Sequence, residues 1–180
     1  MRTAAVVAVA YLLAVVVSSV WRLLPAPVST VLVPDVVALT AAYLGLTARG
    51  PVAPAMAGAV VLGYLADLIS GAPPGLLALT AALSTLLAHG VHRRLLVRGA
   101  TMTVAFAVFV GVASSLLLLL LRVSHGLRGA AAGVELTRVA GVGLATGLLG
   151  PVVLGLYRRI DAAFARTGRE RDAALEGLAP

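Results

Sequence analysis

The chain contains no cysteine and no lysine, and only 12% of its 180 residues are charged. Without cysteine it can form no disulfide bond and carry out no thiol chemistry. Aromatic residues are also few, at 4%, with a single tryptophan. A soluble domain has about 25% charged residues. The low charge therefore excludes an ordinary water-soluble domain.

Apolar residues make up 61% of the chain, and the mean hydropathy is +1.05. Apolar runs of about 18 residues or more recur, as expected of membrane-spanning helices. We interpret the chain as one polytopic membrane domain, with no room for a second folded domain. The first apolar stretch is longer than a signal-peptide core, and no clear Ala-x-Ala cleavage site follows it, so we expect it to be retained.

The pattern predicts an all-α integral membrane protein, a six-helix transmembrane bundle. The spans are expected at about 3–21, 34–48, 52–69, 75–91, 100–121 and 139–157, within a domain covering residues 1–160. Residues 161–180 form a charged tail, expected to be helical in part. Trp21 and Arg22 end the first span, which is typical of the membrane interface. Pro34 begins the second, where its missing amide costs nothing.

The net charge is +7, and all 14 positively charged residues are arginine. Strong basicity can indicate nucleic-acid binding, but in a membrane protein it is explained by the positive-inside rule. With a cytoplasmic N-terminus, six spans place most arginines inside: Arg2, Arg49, Arg93, Arg94, Arg98, Arg158, Arg159, Arg166, Arg169 and Arg171. The outer side receives Arg22, Arg122, Arg128 and Arg138. Both termini are therefore predicted to be cytoplasmic.

Two aspartates are expected at the outer face. Asp35 opens the second span, where the helix dipole favours an anion, whereas Asp67 lies in the last turn of the third, where the dipole does not. A lone carboxylate there is costly, so a partner is expected. The candidates are Arg22, Arg122, Arg138 and the backbone amides of Ser70-Gly71. Asp67 is interpreted as a structural pair or turn cap, with partner docking and catalysis as alternatives.

The segment GYLADLISGAPPGLLAL, residues 63–79, contains a rigid break after Asp67. Gly71, Pro73, Pro74 and Gly75 cannot continue a helix throughout. The pattern predicts a sharp stop and an immediate restart, giving a rigid hairpin at the outer face. Such a hairpin suits a scaffold, and it equally suits the rim of a ligand cavity.

The last span carries small residues at spacings of four. Gly143, Gly147, Pro151 and Gly155 form one stripe where another helix can approach closely. Packing within the bundle is one interpretation, and a surface for a partner protein is the other. Pro151 is expected to kink the helix.

Other polar residues give no sign of catalysis. His89 and His92 lie near a helix end without enough ligands for a metal site, so a solvated interfacial pair is expected. Ser114 and Ser115 can bond to their own helix backbone. The chain has no Gly-x-Ser-Gly, no Gly-x-Gly-Asp and no P-loop motif. We therefore expect no enzyme. An ion-coupled pump is not expected either, because the only charged residues in spans two to five are Asp35 and Asp67, both near an end.

Four short motifs occur in a fixed order along the chain. Pro34-Asp35 begins the second span, and Arg93-Arg94 follows the fourth. The connection between the third and fourth spans contains Gly63, Asp67, Ser70, Gly71, Pro74, Gly75, Ala78 and Leu79, and the end of the last span contains Pro151, Arg158, Arg159, Ile160 and Asp161. With the size and six spans, this set resembles the MreD family of rod shape-determining proteins. The resemblance covers roughly residues 1–165.

The resemblance implies a non-enzymatic membrane scaffold of the bacterial cell-elongation complex, needed for rod shape and lateral peptidoglycan synthesis. It implies MreC as the main partner, with MreB, RodA and the elongation penicillin-binding protein engaged directly or indirectly. It also implies the bacterial inner membrane, with no cofactor, metal or nucleic acid.

The MreD family is also similar in fold to the S components of energy-coupling-factor vitamin transporters. The alternative function is therefore a substrate-binding S component. The scarcity of Asn, Gln and mid-span charge argues against it, because a small-molecule site needs some placed polar groups.

Overall fold

The computed structural model describes residues 2–25, 28–48, 50–71, 73–92, 99–126 and 130–176, and it describes the backbone alone for 91, 92, 100 and 168–176. The helices are α1 Arg2–Arg22, α2 Val28–Val31, α3 Val36–Thr47, α4 Ala53–Ser70, α5 Leu76–His92, α6 Ala100–Ser124 and α7 Ala132–Glu176. Arg49, Arg93, Arg94, Arg98 and Arg128, the His92 side chain and the end of the tail lie outside the described residues. Within them the fold is all-helical, as predicted.

Five stretches of the described chain are long and apolar enough to cross a membrane, and α5 is a shorter apolar helix. The five are Arg2–Arg22, Val28–Thr47, Ala53–Ser70, Thr101–Ser124 and Ala132–Thr167. Together with α5 they form a helical membrane bundle. Its apolar residues are exposed on the outside as well as buried within, as lipid contact requires.

The second membrane segment is interrupted rather than continuous. The short α2 is followed by the non-helical residues 32–35, and α3 has only 12 residues. Irregular backbone is tolerated at membrane depth where it is covered by protein or lines a cavity. Here Gly141 of α7 allows the approach, because a Cβ on it would lie 2.4 Å from the Val31 carbonyl oxygen.

The central element is α3, which packs against α1, α4, α5, α6 and α7. Every residue from Ala38 to Gly45 is buried. The helix can be central because alanine and glycine keep its diameter small. A Cβ on Gly45 would lie 2.3 Å from the Thr85 carbonyl oxygen of α5.

The last helix is much longer than the predicted final span. With 45 residues, α7 is about 68 Å long at 1.5 Å per residue, against a hydrocarbon layer of about 30 Å. Residues expected in the outer connection, including Glu135 and Arg138, form its first turns. The charged segment after Tyr157 continues it, because Ala, Arg and Glu are good helix formers once outside lipid.

Candidate functional site

The Asp67 carboxylate joins the end of α4 to the start of α5. The side chain is 2% exposed. Its Oδ2 accepts hydrogen bonds from the Gly75 amide at 2.9 Å and the Ala78 amide at 3.4 Å. Its Oδ1 accepts from the Leu77 amide at 2.9 Å. These amides lie at the beginning of α5, where N–H groups have no partner within the helix.

This arrangement corrects the partners expected from the sequence. Among the described residues, no arginine pairs with Asp67, and the amides that bind its carboxylate come from beyond the Ser70-Gly71 turn. The unfavourable dipole at the end of α4 is offset because the same carboxylate meets the positive end of α5. Asp67 therefore acts as a turn cap. This is one of the structural interpretations given for it in the sequence analysis, and it involves no partner protein.

The residues of the turn make this cap geometrically possible. Gly71 ends α4 in the left-handed conformation with φ of 66°, and its amide donates to the Asp67 carbonyl oxygen at 3.1 Å. The Ser70 hydroxyl donates to the same oxygen at 3.3 Å. Gly75 has φ of 93°, a conformation that L side chains rarely adopt. Pro74 precedes it, in the turn that leads into α5.

Gly63 brings the two helices close enough for the cap. It lies one turn before Asp67 on α4. A Cβ on it would lie 2.6 Å from both the Ala78 Cα and the Leu77 carbonyl oxygen. The Gly-x-x-x-Asp spacing thus places the close contact and the cap on one face of α4.

Asp35 occupies a second, separate junction between α3, α6 and α7. One carboxylate oxygen accepts from the Ala38 amide at 2.8 Å, which makes Asp35 the N-cap of α3. The other accepts from the Ser114 hydroxyl of α6 at 2.8 Å. The Asp35 amide donates to Thr146 Oγ1 of α7 at 2.9 Å. The dipole-favoured position predicted for Asp35 is observed, but the links to α6 and α7 were not expected.

The two serines of α6 differ in role. Ser115 donates only along its own helix, to the Gly111 carbonyl oxygen at 2.8 Å, as the sequence predicts. The single hydroxyl proton of Ser114 is shared between that carbonyl oxygen, at 3.1 Å, and Asp35. The contact between Ser114 and Asp35 depends on how α6 is rotated about its axis. The residues next to Ser114 in the sequence do not determine that rotation.

Gly143 and Gly147 face α6. A Cβ on Gly143 would lie 2.6 Å from Val112 Cγ2, and a Cβ on Gly147 would lie 2.4 Å from Val108 Cγ2. Both glycines are therefore engaged in packing within the bundle. Pro151 lies inside the continuous α7 and is partly buried. The kink expected there stays a prediction.

At the opposite end of the bundle, a polar cluster joins α1, α3 and α7. Arg2 forms a bidentate pair with Asp161, with Nε to Oδ1 at 2.6 Å. The Tyr43 hydroxyl donates to Asp161 Oδ2 at 2.6 Å, and Arg2 also donates to the Thr47 carbonyl oxygen at 3.2 Å. A bidentate arginine–carboxylate pair is the strongest geometry for such a contact. These contacts bring the start of α1, the end of α3 and Asp161 of α7 together at the same end of the bundle.

A buried hydroxyl pair continues this cluster into the core. Tyr157 is fully buried, and its hydroxyl lies 2.7 Å from Thr40 Oγ1. Because Thr40 donates its only proton to the Val36 carbonyl oxygen, Tyr157 is the donor. The Tyr43 and Tyr157 rings pack with centroids 5.2 Å apart. The sequence contains a sign of this cluster, because tyrosines are few and Asp161 lies one helical turn after Tyr157.

Two cavities adjoin at the end that contains Asp35 and Asp67. The tryptophan cavity, of about 490 Å³, is lined by Trp21, Arg22, Arg138 and serines of α1, α2 and α4. The aspartate cavity, of about 180 Å³, is lined by Asp35, Ser115, Arg122, Glu135 and Arg138. Val33, Val37, Leu77 and Arg138 line both. Three outer-face arginines of the prediction thus converge on one region.

His89 is not a free interfacial group. Its Nδ1 lies 3.3 Å from the Gly45 carbonyl oxygen, across the close contact between α3 and α5. No cluster of three or more His, Cys, Asp or Glu side chains that could hold a metal ion occurs in the described part of the chain.

The family model described as rod shape-determining protein MreD matches residues 2–160. No curated protein and no solved structure matches the chain. The family match covers α1 to α6 completely and α7 as far as Ile160. The chain, a multi-pass membrane protein, therefore belongs to the MreD family of rod shape-determining proteins.

Proposed function

We propose that the protein is a non-enzymatic membrane scaffold of the bacterial cell-elongation complex, in which it binds MreC. The observation that carries the proposal is the family match over residues 2–160. In this role it supports rod shape and lateral peptidoglycan synthesis, with MreB, RodA and the elongation penicillin-binding protein engaged directly or through MreC. The membrane is the bacterial inner membrane.

The geometry of the bundle supports a structural role. The polar side chains at its junctions are used to hold helices together: Asp67 fixes α4 to α5, and Asp35 fixes α3 to α6 and α7. Carboxylates that accept hydrogen bonds from amides and hydroxyls in this way give a rigid outer end. A rigid surface loses little conformational entropy on association, which favours partner binding.

Affinity purification of the tagged protein from its native host in mild detergent, followed by mass spectrometry, tests the proposal. Recovery of an MreC-like protein with RodA or a penicillin-binding protein is the expected result. Recovery of an ATPase module, or of a tightly bound vitamin, would instead identify a transporter S component.

The contribution of the α4–α5 hairpin is tested in the same experiment. Asp67→Ala should reduce the recovery of the MreC-like protein several-fold, because the hairpin loses its cap. Gly147→Ala is the matched control, since it disturbs α6–α7 packing and leaves the hairpin alone. Unchanged recovery and unchanged yield with Asp67→Ala would remove the hairpin from the proposal.

A further inference from the structure

Three residues that line the tryptophan cavity carry hydrogen-bond donors without a partner among the described residues. The Nε1 of Trp21 is the one buried side-chain nitrogen or oxygen of the described residues that lacks a hydrogen-bond partner. A buried indole N–H normally has an acceptor. Arg22 and Arg138 also line the cavity, and neither forms an ion pair or hydrogen bond within the part of the chain that the structure describes.

The charge of the cavity has one sign. Among the described residues that line it there is no carboxylate, whereas there are two guanidinium groups. The acidic side chains nearest in sequence to the lining residues are already engaged: Asp35 accepts from Ser114, Asp67 from the Gly75 and Leu77 amides, and Glu135 from the Ala130 amide at 3.2 Å. Unpaired donors, positive charge and the lack of a carboxylate among the described lining residues together favour an anionic ligand with several oxygens.

The remaining wall of the cavity is apolar. Ala14 of α1 and Ala66 and Ile69 of α4 contribute to it. The cavity volume of about 490 Å³ falls within the ~300–1,000 Å³ usual for small-molecule sites. A ligand that fills it therefore has an anionic end and an apolar end.

The depth of the cavity identifies the source of such a ligand. Arg22 ends α1, which is apolar over a membrane-spanning length. A tryptophan followed by an arginine at the end of a span lies at the level of the lipid headgroups. Phosphates are the anions concentrated at that level, and basic pockets between membrane helices bind them.

We propose that the tryptophan cavity binds the phosphate headgroup of an anionic phospholipid. Arg22 and Arg138 contact the phosphate, and the Trp21 indole donates to a phosphate or ester oxygen. One acyl chain lies along the apolar wall of Ala14, Ala66 and Ile69. Arg138 belongs to the first turns of α7, so the bound lipid connects α1 to α7 at this end of the bundle.

The single tryptophan of the chain makes the cavity directly observable. The full-length protein is reconstituted in phosphatidylcholine vesicles, and phosphatidylglycerol brominated on its acyl chains is added at increasing mole fraction. Quenching of Trp21 fluorescence should saturate and should require several-fold less phosphatidylglycerol than equally brominated phosphatidylcholine. Equal quenching by the two lipids would overturn the proposal.

Arginine variants show whether the preference belongs to the cavity. Arg22→Gln/Arg138→Gln should abolish it, and each single variant should lose part of it. Arg159→Gln/Arg166→Gln removes the same charge from exposed positions near the other end of α7 and should retain it. A preference that survives in the first pair, or disappears equally in both, contradicts the assignment. If the first pair fails to fold by circular dichroism, the single variants decide.

A soluble phosphate compound would use the same donors. Inorganic phosphate is therefore added at millimolar concentration to the protein with bound brominated phosphatidylglycerol. No recovery of fluorescence is expected for a lipid site, because the acyl chain contributes to binding. Full recovery would assign the cavity to a soluble phosphorylated ligand and overturn the lipid proposal.

Discussion

Asp67 shows how one side chain can resolve an electrostatic conflict. Placed at the end of α4, it faces the negative end of a helix dipole, yet it is almost completely buried. The conflict is removed because the following helix begins at once and offers unpaired amides to both carboxylate oxygens. Asp35 solves the simpler problem, because it precedes its own helix and caps it directly.

Removal of the Asp67 carboxylate should destabilise the protein. Asp67→Ala leaves buried amides of α5 without an acceptor and is expected to lower the free energy of unfolding by about 2–4 kcal/mol. Asp67→Asn keeps one carbonyl oxygen and should lose roughly half as much. Reversible unfolding of the purified protein in mixed micelles measures both. Ser124→Ala, at an exposed site on α6, is the control, and an Asp67→Ala variant as stable as this control would contradict the cap.

Helix pairs in this bundle are set by small residues at contact points. Gly63 meets the backbone of α5, whereas Gly143 and Gly147 meet valine side chains of α6. In a membrane, helix association depends on such close approach, because lipid tails are as apolar as the side chains they replace. Gly155 lies on the same helix as the stripe but has no atom within 4 Å of the position of a Cβ.

A graded alanine series tests this difference between glycines. Gly63→Ala should cost about 1–3 kcal/mol, because backbone atoms of α5 cannot move without separating the helices. Gly147→Ala should cost less, since the obstacle is the Val108 side chain. Gly155→Ala should be neutral or stabilising by up to ~1 kcal/mol, because alanine favours helix. Thermal unfolding in detergent measures the order, and an equal loss at Gly63 and Gly155 would contradict it.

At the scale of the whole molecule, polar contacts hold each end of the bundle. One end contains the Arg2–Asp161 pair with Tyr43, and the other contains Asp35, Asp67 and the two cavities. The N-terminus of α1 and the segment after Tyr157 lie together. This proximity supports an even number of crossings, which the positive-inside rule also favours.

The cysteine-free sequence allows this topology to be measured cleanly. Two single-cysteine variants are used. Ser124→Cys places a thiol at the end of α6 near the cavities, and Thr167→Cys places one on α7 beyond Asp161. With cytoplasmic termini, a membrane-impermeant maleimide should label Cys at 124 in intact spheroplasts and Cys at 167 only after permeabilisation. The unmodified chain, which has no thiol, is the control. The reverse labelling pattern would invert the proposed orientation.

Composition and local pattern are sufficient for the class of fold. Apolar runs, proline and glycine breaks, and the positions of Asp35 and Asp67 at helix ends are all local properties, so the all-α membrane bundle and the hairpin after Asp67 can be predicted. The lengths of the helices are harder to predict from the sequence. The interruption before α3 and the extension of α7 to Glu176 depend on Gly141 packing and on where the chain leaves the lipid.

Partner choice, by contrast, is a tertiary property. Asp67 had three arginines and a nearby turn as candidates, and the observed acceptor–donor contacts were decided by the path of α5. Arg2 and Asp161 lie at opposite ends of the sequence and meet only because α1, α3 and α7 pack together. The sequence alone determines the all-helical membrane class and the stop after Asp67, because these depend on residues that are neighbours in the chain. Which side chains meet is decided by helix rotation and packing, because these involve residues far apart in the chain.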